Sequence, residues 1–300
     1  MPSPEFTQAL AHFPHDLAVP GDDFETVRAR FAPAHGHDPG DDIAVTKATE
    51  PGVAGLWVTP EAAAASDRVL FFLHGGAFVS CAAASYTFYA AWLARAAGAR
   101  VLVVDYPLAP EAHFPAQLDT SLAAYRGLLA AGHRPERIGF VGDSCGGGMI
   151  VTTMLRIRDA GSPQPACGVA LSGWMDLEMG GESVARPVGR DPFIDPVWIR
   201  ERARDYLGPD GDPADPLASP IHADLGGLPP LYLQVGQNDR CRSGAVRLAD
   251  RAGRDGVAVT LEIWSGMIHG FQGMHGMVPE ADEAIARAGA YLARHTGDAG

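Results

Sequence analysis

Cysteine is scarce in this chain of 300 residues, which has four, at positions 81, 145, 167 and 241. They are far apart and form no C-x-x-C pair, which excludes a disulfide-rich scaffold and a zinc ribbon. No apolar run approaches the roughly 18 residues that a transmembrane helix needs. The first residues contain no basic stretch followed by an apolar run, so we expect no secretory signal and a cytoplasmic location.

Basic residues are also few, since 23 Lys and Arg stand against 36 Asp and Glu, for a net charge of −13. Nucleic acids and anionic membranes bind clustered cations, so neither is expected as a partner. The composition, 47% hydrophobic and 20% charged, is typical of a globular protein with a sizeable core. The composition does not decide the oligomeric state, which can be a monomer or a homodimer.

Short apolar runs alternate with helical patterns from residue 43 onward. Continuous Val, Ile and Leu runs are typical of strands covered on both faces, so the pattern predicts an α/β fold with a mostly parallel sheet flanked by helices. Predicted strands span 43–49, 55–58, 69–73, 101–104, 138–141, 169–171, 231–235 and 259–263, and predicted helices span 22–31, 86–97, 116–130, 147–159, 245–252 and 280–294. For the first helix, Asp22 is the expected N-cap and Glu25 completes a capping box.

One interval, 174–228, contains no convincing core strand although it carries several large aromatic residues. A connection of that length is expected to have its own structure or a function. We interpret it as a mainly helical insertion over the carboxyl ends of the strands, where open α/β sheets bind ligands.

The pentapeptide Gly142-Asp143-Ser144-Cys145-Gly146 lies between a predicted strand and a predicted helix. It fits G-x-S-x-G, the turn that presents a nucleophilic serine at the end of a strand. A nucleotide-binding turn is the alternative, but the G-x-G-x-x-G fingerprint and the P-loop lysine are both missing. Ser144 is therefore the candidate nucleophile, whereas Asp143 is expected to point away from it and to be structural.

A second glycine-rich turn, His74-Gly75-Gly76-Ala77-Phe78, follows the predicted strand 69–73. Backbone N–H groups in an H-G-G loop can bind the oxyanion of a tetrahedral intermediate, and glycine lets them approach the substrate closely. The His74 side chain is expected only to hold the loop.

Two further residues follow strands in the order that Ser–acid–His hydrolases require. Asp239 comes after the strand 231–235 and His269 comes after the strand 259–263. His275 is the nearest rival for the base. The cluster His35, His37, Asp38, Asp41 and Asp42 has residue types that bind metals, but it lies in a Gly/Pro-rich segment, which favours a solvated loop; we expect no metal.

Six segments, HGGAF, DYPLAPEAHFPA, GDSCGG, DPLASP, LPPLYLQVG and GMIHGF, occur in an order that resembles the hormone-sensitive-lipase family of α/β hydrolases, in its GDSAG-type bacterial esterase branch. The resemblance runs from about residue 43 to the C-terminus. It implies an α/β-hydrolase fold with a catalytic set of Ser144, Asp239 and His269. The implied oxyanion hole consists of the amides of Gly75, Gly76 and Cys145.

The resemblance also implies a domain organisation and a substrate pocket. Residues 1–42 and 174–228 would form the cap, and residues 43–173 and 229–300 the catalytic domain. Aromatic residues of the insertion pack in the cap core or line the pocket. The pocket candidates are Ala77, Phe78, Trp174, Phe193, Trp198, Tyr206 and Ile268. The stretch 173–177 is also similar to monoterpene lactone hydrolases.

The chain departs from the family pattern at three places. Ala77 replaces the third glycine of HGGG, and Cys145 replaces the elbow alanine. Cys145 starts a helix, where a thiol can become reactive, but only its N–H is needed here. Asp239 is followed by Arg240 and Arg242, with no second aspartate, so the sequence leaves the bracing of the acid loop open.

Together these features predict a serine carboxylesterase that acts on short- to medium-chain acyl esters, with a small-molecule ester as its partner and no cofactor. A lactone or amide hydrolase with the same catalytic set is the alternative. A dehydratase, or a non-catalytic small-molecule receptor on the same fold, is the alternative from another class.

Overall fold

The computed structural model describes residues 2–14, 16–32, 36–185 and 191–297. Its strands are β1 (Ile43–Lys47), β2 (Gly55–Pro60), β3 (Val69–Leu73), β4 (Arg100–Val104), β5 (Ile138–Asp143), β6 (Cys167–Leu171), β7 (Leu231–Gly236) and β8 (Val259–Trp264). They form one sheet in the order β1-β2-β4-β3-β5-β6-β7-β8. β1–β2 and β2–β4 pair antiparallel and the remaining neighbours pair parallel, which confirms the predicted fold class.

Helices cover both faces of the sheet. They are α1 (Pro4–Ala11), α2 (Phe24–Phe31), α3 (Thr87–Ala97), α4 (Ala116–Ala130), α5 (Cys145–Asp159), α6 (Glu182–Ala185), α7 (Pro196–Leu207), α8 (Arg242–Arg254) and α9 (Pro279–Thr296). Short 3₁₀ turns lie at Glu61–Ala63, Ala83–Tyr86, Pro135–Arg137, Pro220–His222 and Phe271–Met274.

Strand β3 shows why continuous apolar runs in the sequence predict parallel strands. All five of its side chains are buried. Phe71 packs into the cluster formed with α4 and α5, whereas Leu70 and Phe72 pack into the cluster formed with α3 and α9. Successive side chains of a strand point to opposite faces, so a strand covered on both faces is apolar throughout.

The N-terminal segment differs from the prediction in two ways. Helix α2 begins one residue later than expected, because the Asp23 carboxylate accepts from the Thr26 N–H at 2.8 Å and caps the helix. Asp22 instead forms an ion pair with Arg30 at 3.1 Å. Helix α1 was not predicted, although Ser3 and Pro4 form an N-cap and N1 pair that marks a helix start.

Helix accounts for only part of the interval 174–228. Its described residues contain the short α6, the 12-residue α7 and one 3₁₀ turn, and the rest are turns and irregular backbone. Asp195 caps α7, accepting from the N–H groups of Val197 and Trp198. This arrangement fixes Trp198 at the helix start, where its side chain is buried.

Candidate active site

The turn between β5 and α5 brings Ser144 to the carboxyl end of the sheet. Ser144 has φ 51° and ψ −118°, a strained conformation that projects its hydroxyl away from both elements. A Cβ at Gly142 would lie 2.2 Å from the Gly146 carbonyl oxygen, and a Cβ at Gly146 would lie 2.0 Å from the Leu73 carbonyl oxygen. Glycine is therefore required at both positions for the helix to pack against the sheet.

A chain of two hydrogen bonds joins the three side chains singled out by the sequence. His269 Nε2 lies 2.9 Å from Ser144 Oγ, and His269 Nδ1 lies 3.0 Å from Asp239 Oδ1. The three residues come from the carboxyl ends of β5, β7 and β8, which the parallel sheet brings to one edge. The Asp239 and His269 side chains are 0% and 2% exposed, so water screens their interaction little.

Burial and charge act in opposite directions on His269. Burial alone would lower the pKa of the imidazole, but the Asp239 carboxylate beside Nδ1 favours the imidazolium and raises the pKa well above its ordinary value. Burial raises the pKa of the neighbouring Cys241 thiol to about 12, so that thiol stays neutral. Asp239 is thus the group that stabilises a charged His269.

The acid loop is braced by an arginine. Arg240 donates from Nε to the Ile194 carbonyl at 2.9 Å and from a terminal nitrogen to the Val184 carbonyl at 2.8 Å. Its backbone N–H donates to the Asp191 carboxylate at 3.1 Å. Burial raises the pKa of Asp191 to about 6. Arg240 therefore ties the loop that carries Asp239 to the interval 174–228.

The predicted oxyanion loop follows β3 and has an unusual backbone. Gly76, Ala77 and Phe78 have φ of 109°, 52° and 65°, all in the left-handed region. The Gly76 carbonyl accepts from the N–H groups of Val79 and Ser80 and from the Ser80 hydroxyl, which fixes the peptide. Cys145 is the first residue of α5, where an N–H has no acceptor within the helix.

Two side chains next to this loop have structural contacts. His74 Nδ1 donates to the Gly75 carbonyl at 2.7 Å, and the ring stacks on Tyr106 with ring centroids 4.1 Å apart, as a loop-holding residue should. The Cys145 thiol is fully buried, and burial raises its pKa to about 11. A reactive thiol at this position is therefore not favoured.

Asp143, expected to be structural, makes its contacts behind the oxyanion loop. Its carboxylate is buried and accepts from the Tyr86 hydroxyl at 2.9 Å through Oδ2, and the residue borders the cavity that contains Ser144. A Cβ at Gly75 would lie 2.5 Å from the Tyr86 hydroxyl and 2.6 Å from Asp143 Oδ2. Burial raises the pKa of Asp143 to about 6. The Tyr86–Asp143 pair thus packs directly behind the oxyanion loop.

A cavity of about 390 Å³ opens from Ser144 and His269. Its walls are mostly apolar and come from the N-terminal segment, the oxyanion loop, the start of α3, the region 193–199 and the loop after His269. The lining residues are Ala9, His12, Phe13, Pro14, Phe31, His37, Gly76, Ala77, Tyr86, Phe88, Tyr89, Asp143, Ser144, Phe193, Ile194, Trp198, Ile199, His269, Gly270, Gly273, Met274 and Met277.

Three of the seven predicted pocket residues, Ala77, Phe193 and Trp198, line this cavity. Phe193 lies against His269, with ring centroids 5.4 Å apart.

The other four are not among the described residues that line it, and their prediction is corrected. Phe78 stacks on Tyr206 with centroids 3.7 Å apart and also contacts Trp174, so the three rings fill the core beneath the cavity. Ile268 is fully buried among the apolar residues below the His269 loop.

The sequence reasoning did not name the lining residues of the N-terminal segment, nor Tyr86, Tyr89, Met274 and Met277. Tyr86 and Tyr89 are three residues apart, a spacing that places both on one side of the start of α3. The spacing could therefore have predicted that both tyrosines line the same surface. No sequence pattern could have predicted that Phe13 and Met277 line the cavity, because neither belongs to a helix or strand.

Two groups of described residues have donor atoms close enough for a metal, namely Asp239 with Cys241 and His269, and Asp176 with Glu178 and His222. Asp239 already accepts from His269, and Asp176 accepts from Arg247 at 2.8 Å. In both groups, an aspartate is therefore already hydrogen-bonded to another side chain. Of the cluster in the Gly/Pro-rich segment, His35 lies outside the described residues, His37 faces Phe88, and Asp42 pairs with Arg95.

Comparison with known proteins shows to which family the chain belongs. The profile of a family with the α/β hydrolase fold matches residues 70–273. The chain belongs to the α/β hydrolase family. An acetyl-hydrolase of Streptomyces hygroscopicus is 40% identical over 88% of this chain and 85% of its own. An esterase of Acinetobacter venetianus is 32% identical over 78% of this chain and 77% of its own.

Solved structures agree with this assignment. A bacterial esterase of the hormone-sensitive-lipase family superimposes with a TM-score of 0.93 at 38% identity, covering 99% of this chain and 100% of that one. A hormone-sensitive lipase from a metagenome library superimposes with a TM-score of 0.91 at 31% identity, covering 98% and 99%. The predicted family and the predicted class, a carboxylic ester hydrolase, are confirmed. Among the described residues, no helix of this α/β hydrolase is long and apolar enough to cross a membrane.

Proposed function

We propose that this protein is a serine carboxylesterase in which Ser144 is the nucleophile, His269 the general base and Asp239 the acid that orients and stabilises the imidazolium. The observation that carries the proposal is the hydrogen-bond chain from Ser144 Oγ through both His269 nitrogens to Asp239, with lengths of 2.9 and 3.0 Å. A serine hydroxyl becomes an effective nucleophile when an adjacent base takes its proton.

Catalysis would proceed in two halves. Ser144 Oγ attacks the ester carbonyl while its proton moves to His269 Nε2, and the amides of Gly75, Gly76 and Cys145 donate hydrogen bonds to the oxyanion. His269 then gives the proton to the leaving alcohol, and the acyl group remains on Ser144. Water enters by the same route, with His269 as base again, and releases the carboxylic acid. No cofactor takes part in this sequence.

The size and polarity of the cavity support short- to medium-chain acyl esters as substrates. Each methylene buried against the apolar wall is worth about 0.8 kcal/mol. A cavity of about 390 Å³ is small for a ligand site, so this gain stops after a few carbons. We expect kcat/KM to be highest with acyl chains of about four to eight carbons and no activation by a lipid interface.

Residues 1–42 and 174–228 would act as the cap over a catalytic domain of residues 43–173 and 229–300. In support, Phe13 and Phe31 of the first interval pack against Phe193 and Trp198 of the second, and all four line the cavity. We propose a cytoplasmic protein, supported by four cysteines that form no disulfide. A homodimer is compatible with the proposal, which does not depend on it.

The proposal is tested by replacing the nucleophile. Ser144→Ala should lower ester turnover by at least about 10³-fold, because only binding and oxyanion stabilisation remain. The matched control is Ser265→Ala, at an exposed serine outside the cavity, which should keep full activity. A folded Ser144→Ala variant that retained a tenth of the activity would refute the assignment.

A panel of p-nitrophenyl esters of rising acyl length, run beside a simple lactone, distinguishes the ester from the lactone reading. The ester reading predicts the higher kcat/KM for the esters.

A further inference from the structure

Ser172 has a backbone conformation that serine rarely adopts. It directly follows β6, is fully buried and has a φ of 47°, in the left-handed region. Glycine adopts this region without steric cost, whereas a residue with a Cβ is strained there. Strain of this kind clusters at functional sites, and the contacts of the Ser172 hydroxyl show what the side chain contributes in return.

The Ser172 hydroxyl binds the loop that carries the proposed general base. It accepts from the Gly270 N–H at 3.0 Å and donates to Gln272 Oε1 at 3.2 Å. Gly270 directly follows His269 in the chain, so this contact lies one residue beyond the imidazole. The loop is thereby attached to the end of β6.

Gln272 continues this contact into a buried chain of hydrogen bonds. Its Nε2 donates to Gln234 Oε1 at 3.4 Å, and Gln234 Nε2 donates to the Ala284 carbonyl in α9 at 3.0 Å. Ser172, Gln272 and Gln234 are at most 1% exposed, and each of these side-chain atoms has a partner. A buried network in which every polar group is satisfied favours a single arrangement, so the His269 loop is held against β7 and α9 as well.

The segment before His269 is attached separately, through the acid loop. The Asn238 N–H donates to the Met267 carbonyl at 2.8 Å, and Asn238 Nδ2 donates to the Gly266 carbonyl at 2.9 Å. Asn238 therefore holds the loop on one side of His269, and Ser172 holds it on the other. Since a displacement of about 1 Å in a reacting group can cost about 10²-fold in rate, both attachments bear on the His269 imidazole.

We propose that Ser172 and Gln272 are positioning residues, which fix the backbone beside His269 so that its imidazole stays at hydrogen-bond distance from both Ser144 and Asp239. This inference rests on the proposed role of His269 as general base. Neither positioning residue is among the described residues that line the cavity, so their contribution belongs to kcat and not to substrate binding.

The first test is Ser172→Ala, which removes the hydroxyl and keeps the Cβ. With p-nitrophenyl butyrate, kcat should fall about tenfold while KM stays within about twofold of its original value. The matched control is Ser121→Ala, because Ser121 is also fully buried and its hydroxyl donates to the Gln117 carbonyl within α4 at 2.9 Å. This control should keep kcat. The melting temperature of each variant is measured as well, and kcat is compared at a temperature where both are folded.

Two further variants separate positioning from stability. Ser172→Gly removes the same hydroxyl but relieves the strain at φ 47°, so it should show the same loss of kcat even where alanine destabilises the fold. Gln272→Met removes the acceptor that orients the Ser172 hydroxyl, and it should lower kcat at least about threefold. Because both residues act through the same contact to Gly270, the double variant of Ser172→Ala and Gln272→Met should be no slower than Ser172→Ala alone.

The outcomes distinguish the two proposals. If no ester is hydrolysed, or if Ser144→Ala is as active as the unaltered enzyme, the proposed function is wrong. If Ser144→Ala is inactive but a folded Ser172→Ala or Ser172→Gly keeps its kcat, whatever its melting temperature, the positioning role alone is wrong. Losses of kcat that multiply in the double variant would likewise overturn it, since the two residues would then act independently.

Discussion

Asp239→Asn is the substitution that isolates the charge of the catalytic acid from its geometry. Asp239 Oδ1 accepts both from His269 Nδ1 at 3.0 Å and from the Cys241 N–H at 2.7 Å, while Oδ2 has no partner among the described residues. An asparagine can therefore keep its amide oxygen at the Oδ1 position, with its NH₂ group in place of Oδ2. Both hydrogen bonds survive, and so does the tautomer in which His269 Nε2 accepts from Ser144.

The magnitude follows from the separation of the charges. With about 4 Å between the centres of carboxylate and imidazolium and an effective dielectric constant of about 20, the attraction is about 4 kcal/mol. This attraction exists once His269 has taken the Ser144 proton, so it lowers the transition state more than the ground state. Its loss should reduce kcat by about 10³-fold.

The assay is kcat/KM for p-nitrophenyl butyrate measured across pH. Because Asp239 raises the pKa of His269, the acid limb of the profile should move to lower pH in Asp239→Asn. The control is Asp176→Asn, a buried aspartate that accepts from the N–H groups of Glu178 and Gly180 and from Arg247 but makes no hydrogen bond to His269. Activity of Asp239→Asn within tenfold of the unaltered enzyme, with an unmoved acid limb, would refute the reasoning.

Three further predictions follow from particular contacts. Gly146→Ala should abolish activity and lower the melting temperature, because its Cβ would lie 2.0 Å from the Leu73 carbonyl oxygen, whereas Gly253→Ala, which meets no atom within 4 Å, should be tolerated; thermal unfolding compares them. For the unaltered enzyme, kcat/KM should fall on the acid side with an apparent pKa above the ordinary 6.5, since protonation removes the base from a His269 whose pKa is raised. Arg240→Met should lower the free energy of unfolding in urea by about 3 kcal/mol or more, because two carbonyls lose a charged donor; an unchanged midpoint would show that the arginine does not brace the acid loop.

The sheet could be predicted from the sequence because the apolar character of each strand can be seen within the strand itself. A strand covered on both faces must be apolar throughout, so runs such as Val69–Leu73 were visible without knowledge of their partners. The candidate catalytic residues were also readable, since each follows such a run and parallel strands bring their carboxyl ends together. The glycines of the motif around Ser144 are visible in the sequence, and the structure shows that a Cβ at Gly142 or Gly146 would clash with a backbone carbonyl.

The cavity wall could not be predicted in the same way. Whether an aromatic side chain lines a pocket or fills a core depends on which ring it meets, and Phe78 meets Tyr206 from a segment more than a hundred residues away in the chain. The turn containing Phe13 has no periodic pattern that would place it over the site. The contact between Asp143 and Tyr86 could not be predicted, because the elbow motif does not contain Tyr86.

The central claim is that hydrolysis passes through an ester bond to Ser144, and acid-quenched mass spectrometry of the enzyme during turnover tests it most directly. With p-nitrophenyl butyrate in excess, the account predicts one added butyryl group per chain, located on the peptide that contains Ser144 and absent from Ser144→Ala. A butyryl group on another residue, or turnover at the normal rate by Ser144→Ala, would contradict it.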